Sequence, residues 1–383
     1  MLLSNDIPLP EKHNLSRNPF DEGRFDHEMV GRQSEMARIF RLVEEAATQQ
    51  NSAIVPIIGP YGMGKTFTLL NLRSRFRKRA APFKGRKILG VYLTATRERF
   101  PSKYPVYVFN NVIEDLGETG IRSLAKELPG DPKSILKDLQ EPDLRNAMRF
   151  LSNDENTSVI WNWFRGGPIP IKKATEMAMS GRISGEEQAK RMLLDLCRLA
   201  KKLEYDSFIL LIDELEQAYA QGEAYTKVIV WVKQWFDQIN RTISESSDSI
   251  VPAITMIGCA PETWSAITAG AEKGRGRGAH GQIAAFLERI PRENIVELGP
   301  LDVNEVRLLL ERFLESATKK KRPNPLFPFD NDTTDMIFET SQGVPRMVIR
   351  LARILLREAD RENKPITKDN ADRWLRVAKV AVD

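Results

Sequence analysis

The residues with the clearest chemical pattern form a glycine-rich segment, Gly59-Pro60-Tyr61-Gly62-Met63-Gly64-Lys65-Thr66. Their spacing is that of G-x-x-x-x-G-K-[ST], and the segment lies between an apolar stretch, 53–58, and a stretch with helical character, 66–79. Glycines let the backbone curl so that successive N–H groups face one anion, and the start of the next helix adds positive partial charge. Lys65 is then placed for the β- and γ-phosphates and the Thr66 hydroxyl for Mg²⁺. We therefore expect an ATP site that runs from Gly59 to Phe67.

A second chemical pattern is the pair Asp213-Glu214, which ends the apolar run that begins at Phe208. Ligands of parallel α/β sheets bind at the carboxyl ends of the strands. In this position Asp213 would hold Mg²⁺, directly or through water, and Glu214 would polarise the water that attacks the γ-phosphate. Taken alone, an acidic pair at this position is as often the plain end of a strand as a catalytic site. Together with the glycine-rich segment, the pair predicts ATP hydrolysis.

The elements that must position these residues alternate between strands and helices. Apolar runs predict strands at 53–58, 87–94, 207–212 and 251–258, with helices at 34–48 and 66–79. This order predicts a parallel α/β sheet with helices on both faces. Helical patterns from 302 onward predict an all-α lid. The domains are then an irregular segment at 1–28, a nucleotide-binding domain at 29–300 with a helical insertion at about 105–203, and the lid at 301–383.

Composition excludes several classes of protein. The chain has 383 residues, and its 57 Lys and Arg against 52 Asp and Glu permit contact with nucleic acid without requiring it. Cys197 and Cys259 stand alone beside only three histidines, which argues against a structural zinc site or a disulfide framework. There is neither a secretory signal nor an uncharged apolar stretch of the roughly 18 residues that a membrane span needs. We expect a cytoplasmic protein with no membrane partner.

Five stretches together resemble the AAA+ ATPases. Besides Gly59–Thr66 and Asp213-Glu214, they are Val30-Gly31-Arg32, Phe286–Ile290 and Gly343–Arg346. The resemblance implies that Gly31 and Arg32 lie near the adenine, that Arg289 is an arginine finger for the neighbouring subunit, and that Arg346 contacts the γ-phosphate from the lid. Such a finger implies a homo-oligomer, a ring or a filament.

Each of these family positions has a structural alternative. The segment at Gly31 could be a simple turn. Arg289 could pair with Glu288 or Glu293, and Arg292 is a rival finger three residues later. Arg346 could pair with a carboxylate of the lid.

The finer pattern resembles the origin-recognition and STAND-like branch of the family. Asn18-Pro19-Phe20, 161–167 and 211–217 most resemble the ATP-binding proteins of BREX-type phage-defence systems. One position departs from the family: the fourth predicted strand ends Ile257-Gly258-Cys259 without the usual polar sensor residue, and neither Thr255 nor Glu262 is a clear substitute. Hydrolysis is then expected to be slow or to depend on a partner.

Two basic features could contact DNA. One is a glycine-rich loop predicted at 269–281, with Lys273, Arg275, Arg277 and His280; the other is a lid helix with Arg346, Arg350, Arg353, Arg357 and Arg361. The arginine spacing of three and four residues keeps that set on one helical face, and Val348, Leu351 and Leu355 fall on the opposite, apolar side. The loop could instead be only solvated, and the helix could be an ordinary amphipathic helix or a docking face for an acidic subunit. Trp161 and Trp163 are expected to pack in the insertion and less often to stack on bases.

Two functions are consistent with these patterns. The first is an ATPase switch that assembles on DNA, in a defence or other DNA-transaction system. The second is a nucleotide-gated scaffold that rarely hydrolyses ATP and recruits an effector protein. Glu214 favours the first, and the missing sensor residue favours the second.

Overall fold

The computed structural model describes residues 13–21, 29–96, 99–128, 131–183, 185–222, 224–273, 279–319 and 321–380. Within these ranges the side chains of 133, 272–273, 279–280 and 377–380 are not described. The chain forms two compact units. The sheet unit contains residues 34–58 and 72–297, and the loop-lid unit contains 1–33, 59–71 and 298–383.

A five-stranded parallel sheet forms the centre of the sheet unit. Its strands are β1 (Ala53–Ile58), β2 (Ile88–Thr94), β3 (Ser207–Asp213), β4 (Ala253–Cys259) and β5 (Val296–Glu297). Their order is β2-β3-β4-β1-β5, and every pairing is parallel. All residues of β3 and β4 are buried, which explains their continuous apolar runs, because helices cover both faces of a parallel sheet. The predicted α/β fold is confirmed, and only the two-residue β5 was too short to predict.

Twelve helices accompany this sheet in the described part of the chain, and six of them, α3 to α8, form the predicted helical insertion between β2 and β3. The twelve are α1 (Gln33–Gln49), α2 (Lys65–Lys78), α3 (Tyr104–Lys126), α4 (Pro132–Leu136), α5 (Pro142–Ser152), α6 (Thr157–Phe164), α7 (Ile171–Met177), α8 (Glu186–Lys202), α9 (Leu215–Ala220), α10 (Ala224–Glu245), α11 (Pro261–Lys273) and α12 (Ala279–Leu287). Trp163 is fully buried, and Trp161 packs against the same core, so both tryptophans are packing residues. The predicted domain boundaries remain a prediction.

The prediction of a glycine-rich loop at 269–281 is wrong at both ends of the segment. Helix α11 continues to Lys273, and α12 already includes His280. These helices bury Ile267, Ile283 and Phe286 in the core, and such burial outweighs the low helix propensity of glycine. Arg275 and Arg277 lie outside the described residues.

The lid is helical, as predicted. Its helices are α13 (Val303–Glu315), α14 (Asn331–Ser341), α15 (Pro345–Glu362) and α16 (Lys368–Val380). A capping box starts α13: the Asp302 carboxylate accepts from Glu305 N at 2.8 Å, and the Asp302 N–H donates to the Glu305 carboxylate at 2.9 Å. Pro345 begins α15, where a missing N–H costs nothing.

The amino-terminal segment joins the lid's core. Leu15 forms an antiparallel bridge with Thr318. The Phe20 ring stacks on Phe313 at 5.5 Å between centroids and meets Phe329 edge-on at 5.9 Å. Since Phe20 is only 1% exposed, this irregular segment contributes a large apolar side chain to the loop-lid unit.

No helix in the described ranges is both long enough and apolar enough to cross a bilayer.

Replacing Phe20 by Ala should destabilise the protein by about 3–5 kcal/mol, the usual cost of deleting a buried aromatic ring. The urea midpoint of the full-length chain measures this loss. Leu308→Ala is the matched control, because Leu308 lies on α13 and is 36% exposed, and it should shift stability by less than about 0.5 kcal/mol. Equal effects of the two changes would contradict the packing role of Phe20.

Candidate functional site

The glycine-rich segment follows β1 directly and opens α2 at Lys65, as predicted. Its backbone turns through φ values of 85° at Gly62 and 90° at Gly64, which side chains rarely allow. At Gly62 a side chain is disfavoured for a second reason. A Cβ there would lie 3.1 Å from Val344 Cγ1 and 3.2 Å from Arg346 Cβ. Gly62 is thus the point at which the loop backbone touches the start of α15.

The Lys65 side chain lies over the first residues of the loop. Its Nζ donates to the Gly59 carbonyl at 2.7 Å and to the Pro60 carbonyl at 3.4 Å. Lys65 is 7% exposed, so its ammonium group is buried beside the loop. Thr66 and Phe67 follow in the first turn of α2, both half-buried. A helix start, a buried lysine and a hydroxyl form a donor set that suits polyphosphate.

Gly31 and Arg32 contact both the loop and the lid within the loop-lid unit. Arg32 Nη2 donates to the Met63 carbonyl at 3.1 Å. A Cβ at Gly31 would lie 2.7 Å from Glu305 Oε1, next to the capping box of α13, and φ there is 68°. The structure therefore brings together the predicted residues Gly31, Arg32 and the loop.

Arg346, at the start of the lid helix α15, lies against the phosphate loop. Its backbone N–H donates to the Gly62 carbonyl at 3.3 Å. Its guanidinium carbon lies 4.2 Å from the centroid of the Tyr61 ring. Tyr61 is 79% exposed, so the arginine covers an aromatic side chain that otherwise faces solvent. The chain thus places a lid arginine on the third residue of the phosphate loop.

Asp213 is buried at the carboxyl end of β3, and both of its oxygens accept hydrogen bonds. Oδ1 accepts from the Glu214 N–H at 2.9 Å, and Oδ2 accepts from the Tyr92 hydroxyl at 3.0 Å. Burial and then the nearby Asp213 charge raise the pKa of Tyr92 well above its ordinary value. Tyr92 thus stays protonated and donates. It was missed by sequence reasoning, because an apolar strand pattern does not reveal that β2 pairs with β3.

Glu214 follows in a left-handed conformation, with φ 59° and ψ 42°, at the N-cap of α9. This conformation is costly for a residue other than glycine, and such strain concentrates at functional sites. Gln217 Nε2 donates to Glu214 Oε2 at 2.7 Å and so restrains the carboxylate. Gln217 was also missed, although its spacing of three residues along a helix start is a usable signal.

Arg289 forms an ion pair, but with Asp237 on α10 and with neither Glu288 nor Glu293. Its Nε and Nη2 bind the two Asp237 oxygens at 2.5 Å and 3.1 Å. Lys233 Nζ donates to the same carboxylate at 3.0 Å. Burial acts to raise the pKa of Asp237, but the bonds from Arg289 and Lys233 outweigh it and hold that pKa below its ordinary value. The pair partner was invisible in sequence because it lies 52 residues away.

Arg289 and Asp213 lie at opposite levels of the sheet. Arg289 lines a cleft of about 330 Å³ with Asn51, Ser52 and Ala53, at the amino end of β1. Ala53 and Ile209 both pair with Ile254, so they share a level. Asp213 lies four residues further along β3, about 13 Å away in the strand direction. Arg292, the rival finger, is exposed and lines a different cleft, with Arg38 and Glu297.

The structure clarifies the missing sensor position. Strand β4 ends in the buried Cys259, and α11 begins at Pro261. Thr255 is buried four residues before that end, about 13 Å from it along the strand. Glu262 is exposed in the first turn of α11. The end of β4 therefore carries the buried side chain of Cys259.

Metal ligands were predicted at Asp213 and Thr66. In the described part of the chain, no three His, Cys, Asp or Glu side chains are grouped as a metal-binding cluster. Mg²⁺ usually takes one or two carboxylates together with substrate phosphates and water, and Asp213 and Thr66 are donors of this kind. Their chemistry fits the predicted ion.

The predicted site residues fall into the two units. Gly31, Arg32, the segment Gly59–Phe67 and Arg346 belong to the loop-lid unit. Asp213, Glu214 and Arg289 belong to the sheet unit.

Comparison with known proteins identifies the family. A model of the AAA ATPase domain matches residues 28–228, more than half of the chain, so the chain belongs to the AAA ATPase domain family. No curated protein sequence matches it significantly.

Among solved structures, the Aeropyrum pernix ORC2 protein in its ADPNP-ADP complexes has a TM-score of 0.52 and 14% identity, over 93% of this chain and 70% of that one. Drosophila ORC bound to DNA has a TM-score of 0.49 and 12% identity, over 98% of this chain and 69% of that one. The first similarity shows a shared fold.

The Asp237–Arg289 pair predicts a pH dependence of stability. Because the folded-state pKa of Asp237 is lowered, its contribution is complete above the unfolded pKa of about 3.9 and is lost as pH falls through the folded value. Asp237→Asn lacks this contribution, so the difference in melting temperature between wild type and variant should narrow from pH 7 to pH 3.

Asp248→Asn is the control for this titration, since Asp248 is exposed on the same unit. Its melting temperature should follow the wild type at every pH. A wild-type-to-Asp237→Asn difference that stays constant with pH would contradict the ion pair.

Proposed function

We propose that this chain is an ATP-hydrolysing switch that couples its nucleotide state to the assembly of its own copies, with DNA as the surface of assembly. The observation that carries the nucleotide part is the loop Gly59–Thr66. It makes left-handed turns at Gly62 and Gly64, opens α2 and buries the Lys65 ammonium. The ORC2 structure that shares the fold holds ADPNP and ADP, which supports the same ligand class.

The proposal gives each residue one role. The loop N–H groups and Lys65 bind the phosphates, and Thr66 and Asp213 hold Mg²⁺, which neutralises phosphate charge when it is bound. Tyr92 and the Glu214 N–H orient the Asp213 carboxylate. Glu214 accepts a proton from the attacking water, and Gln217 orients its carboxylate. Arg346 contacts the γ-phosphate from the lid.

The position of Arg289 supports action across a subunit boundary. It lies at the amino-end level of the sheet, about 13 Å in the strand direction from Asp213, which is beyond the reach of its side chain. Arginine suits a finger because its planar fork binds phosphate bidentately and keeps its charge. A nucleotide site completed by Arg289 of another copy makes the chain active only as an oligomer.

Helix α15 supports the DNA part of the proposal. Val348, Leu351 and Leu355 are buried, as predicted, so the arginine face points away from the lid core. Arg357 and Arg361 are exposed and share Glu358, at 3.2 Å and 2.6 Å. A DNA phosphate could replace that carboxylate as the partner of both. The BREX-like and origin-recognition-like motifs support a prokaryotic defence or other DNA-transaction setting.

The alternative function is a nucleotide-gated scaffold that hydrolyses little ATP and recruits an effector protein. The observation that favours it is the end of β4, where the buried Cys259 occupies the position of a polar sensor residue. Without such a residue, positioning of the attacking water depends on Glu214 and Gln217 alone.

Mixing two inactive variants tests the assembled site. Lys65→Ala should lose ATP binding yet keep Arg289, and Arg289→Ala should bind ATP yet lack the finger. Each alone should hydrolyse ATP at least about tenfold more slowly than wild type, since arginine fingers are worth 10³–10⁵ in well-studied cases. The mixture should recover activity, because one chain supplies the nucleotide and the other the arginine.

Arg292→Ala is the matched control for the finger and should keep wild-type activity. Arg289→Lys keeps a positive charge opposite Asp237 but lacks the guanidinium group. It therefore distinguishes loss of the finger contact from loss of folding. If the mixture recovers no activity although both variants fold, action of Arg289 between subunits is contradicted. If Lys65→Ala binds ATP normally, the proposed nucleotide site is wrong.

The rate of ATP hydrolysis with and without duplex DNA, at two salt concentrations, separates the two functions. A switch on DNA should be stimulated by DNA, and stimulation should weaken at higher salt because phosphate contacts release counterions. Glu214→Gln should bind ATP normally and lose at least about 100-fold in rate, the usual worth of a general base. A negligible rate under all conditions with tight ATP binding would favour the scaffold.

A further inference from the structure

The contact between Tyr61 and Arg346 is not explained by packing. Tyr61 is the third residue of the phosphate loop and is 79% exposed, whereas most large apolar side chains of the loop-lid unit are buried in the lid core. The one cation recorded over its ring is the Arg346 guanidinium, at 4.2 Å from the centroid among the described residues. The Tyr61 ring therefore contacts Arg346 and is not part of the lid core.

Stacking has a specific consequence for an arginine that must bind phosphate. A cation over an aromatic face is attracted by the electrons of the ring, and the guanidinium offers its own flat face to that contact. The N–H groups of a guanidinium lie in its plane, at its edge. A guanidinium held over the Tyr61 ring, with its carbon 4.2 Å from the centroid, still has N–H groups at its edge that can bind an anion.

The backbone fixes the same arginine relative to the loop. Arg346 N donates to the Gly62 carbonyl at 3.3 Å, and its Cβ would be 3.2 Å from a Cβ at Gly62. The backbone contact places the base of the side chain, and the Tyr61 ring, one residue earlier in the loop, restrains its far end. Together they limit a long side chain that otherwise has many rotamers.

We propose that Tyr61 is a positioning residue that orients Arg346 for the γ-phosphate and thereby sets the preference of the site for triphosphate over diphosphate. This inference rests on the proposed function, because it needs Arg346 to act on bound nucleotide. Tyr61 does not touch the reacting atoms; it acts by reducing the orientations that Arg346 must lose on binding.

Calorimetric titration of the full-length chain with Mg²⁺ and either AMP-PNP or ADP tests the proposal. Tyr61→Ala should weaken AMP-PNP binding about two- to fivefold more than it weakens ADP binding, the worth of one exposed cation–π contact. Tyr61→Phe keeps the ring and should keep the wild-type ratio of the two affinities. Because Tyr61 is exposed, neither change should affect folding, which the melting temperature verifies.

A double-mutant comparison shows whether Tyr61 affects AMP-PNP binding through Arg346. Arg346→Ala should also lower AMP-PNP affinity selectively, and Tyr61→Ala/Arg346→Ala should be no weaker than Arg346→Ala alone. The proposal is overturned if Tyr61→Ala weakens both nucleotides equally, if it strengthens AMP-PNP binding, or if its effect persists without Arg346.

Lys65→Ala distinguishes failure of the Tyr61 proposal from failure of the proposed function. If Lys65→Ala abolishes binding of both nucleotides, and Arg346→Ala weakens AMP-PNP alone while Tyr61→Ala changes nothing, only the role of Tyr61 is wrong. If Lys65→Ala binds AMP-PNP normally, the nucleotide site itself is wrong.

Discussion

The lid helix α15 contacts the phosphate loop at Gly62, where the Arg346 N–H donates to the Gly62 carbonyl. The loop has a positive φ there, and Val344 and Arg346 approach so closely that they would have to shift to admit a side chain. The same residue therefore satisfies the conformation of the loop and the close approach of α15. Arg346 owes its place to this contact, since its N–H donates to the Gly62 carbonyl. A side chain at Gly62 would strain the loop backbone and crowd Val344 and Arg346 at the same time.

The acidic end of β3 illustrates a second constraint, the cost of burying a charge. Asp213 is 1% exposed, and a buried carboxylate is tolerated only when its oxygens accept hydrogen bonds. The Glu214 N–H and the Tyr92 hydroxyl meet that need. Glu214 adopts its left-handed conformation directly after this buried carboxylate. The two hydrogen bonds thus orient the Asp213 side chain.

Parallel strands give this sheet two chemically different edges. Asp213 and Glu214 lie at the carboxyl edge, and Arg289 lies at the amino-end level beside Ala53. In the single chain, Asp237 and Lys233 form a small charge network with Arg289 that keeps the guanidinium paired. Because Arg289 lies about 13 Å in the strand direction from the acidic residues of its own chain, the proposal assigns it to the nucleotide site of another copy.

The sequence by itself determined the strands, the phosphate loop and the lid helices, because these features depend on local periodicity and on spacing within a few residues. Gly59–Thr66 and Asp213-Glu214 were recognisable for that reason, and the buried face of α15 was predicted correctly. The two ends of segment 269–281 were misread as loop, since burial of Ile267, Ile283 and Phe286 outweighed the glycines there. Only the tertiary structure decided which distant side chains meet: Tyr92 with Asp213, Arg289 with Asp237 and Arg346 with Tyr61. Such pairs depend on strand order and helix packing, which bring together residues whose separation along the chain carries no local signal.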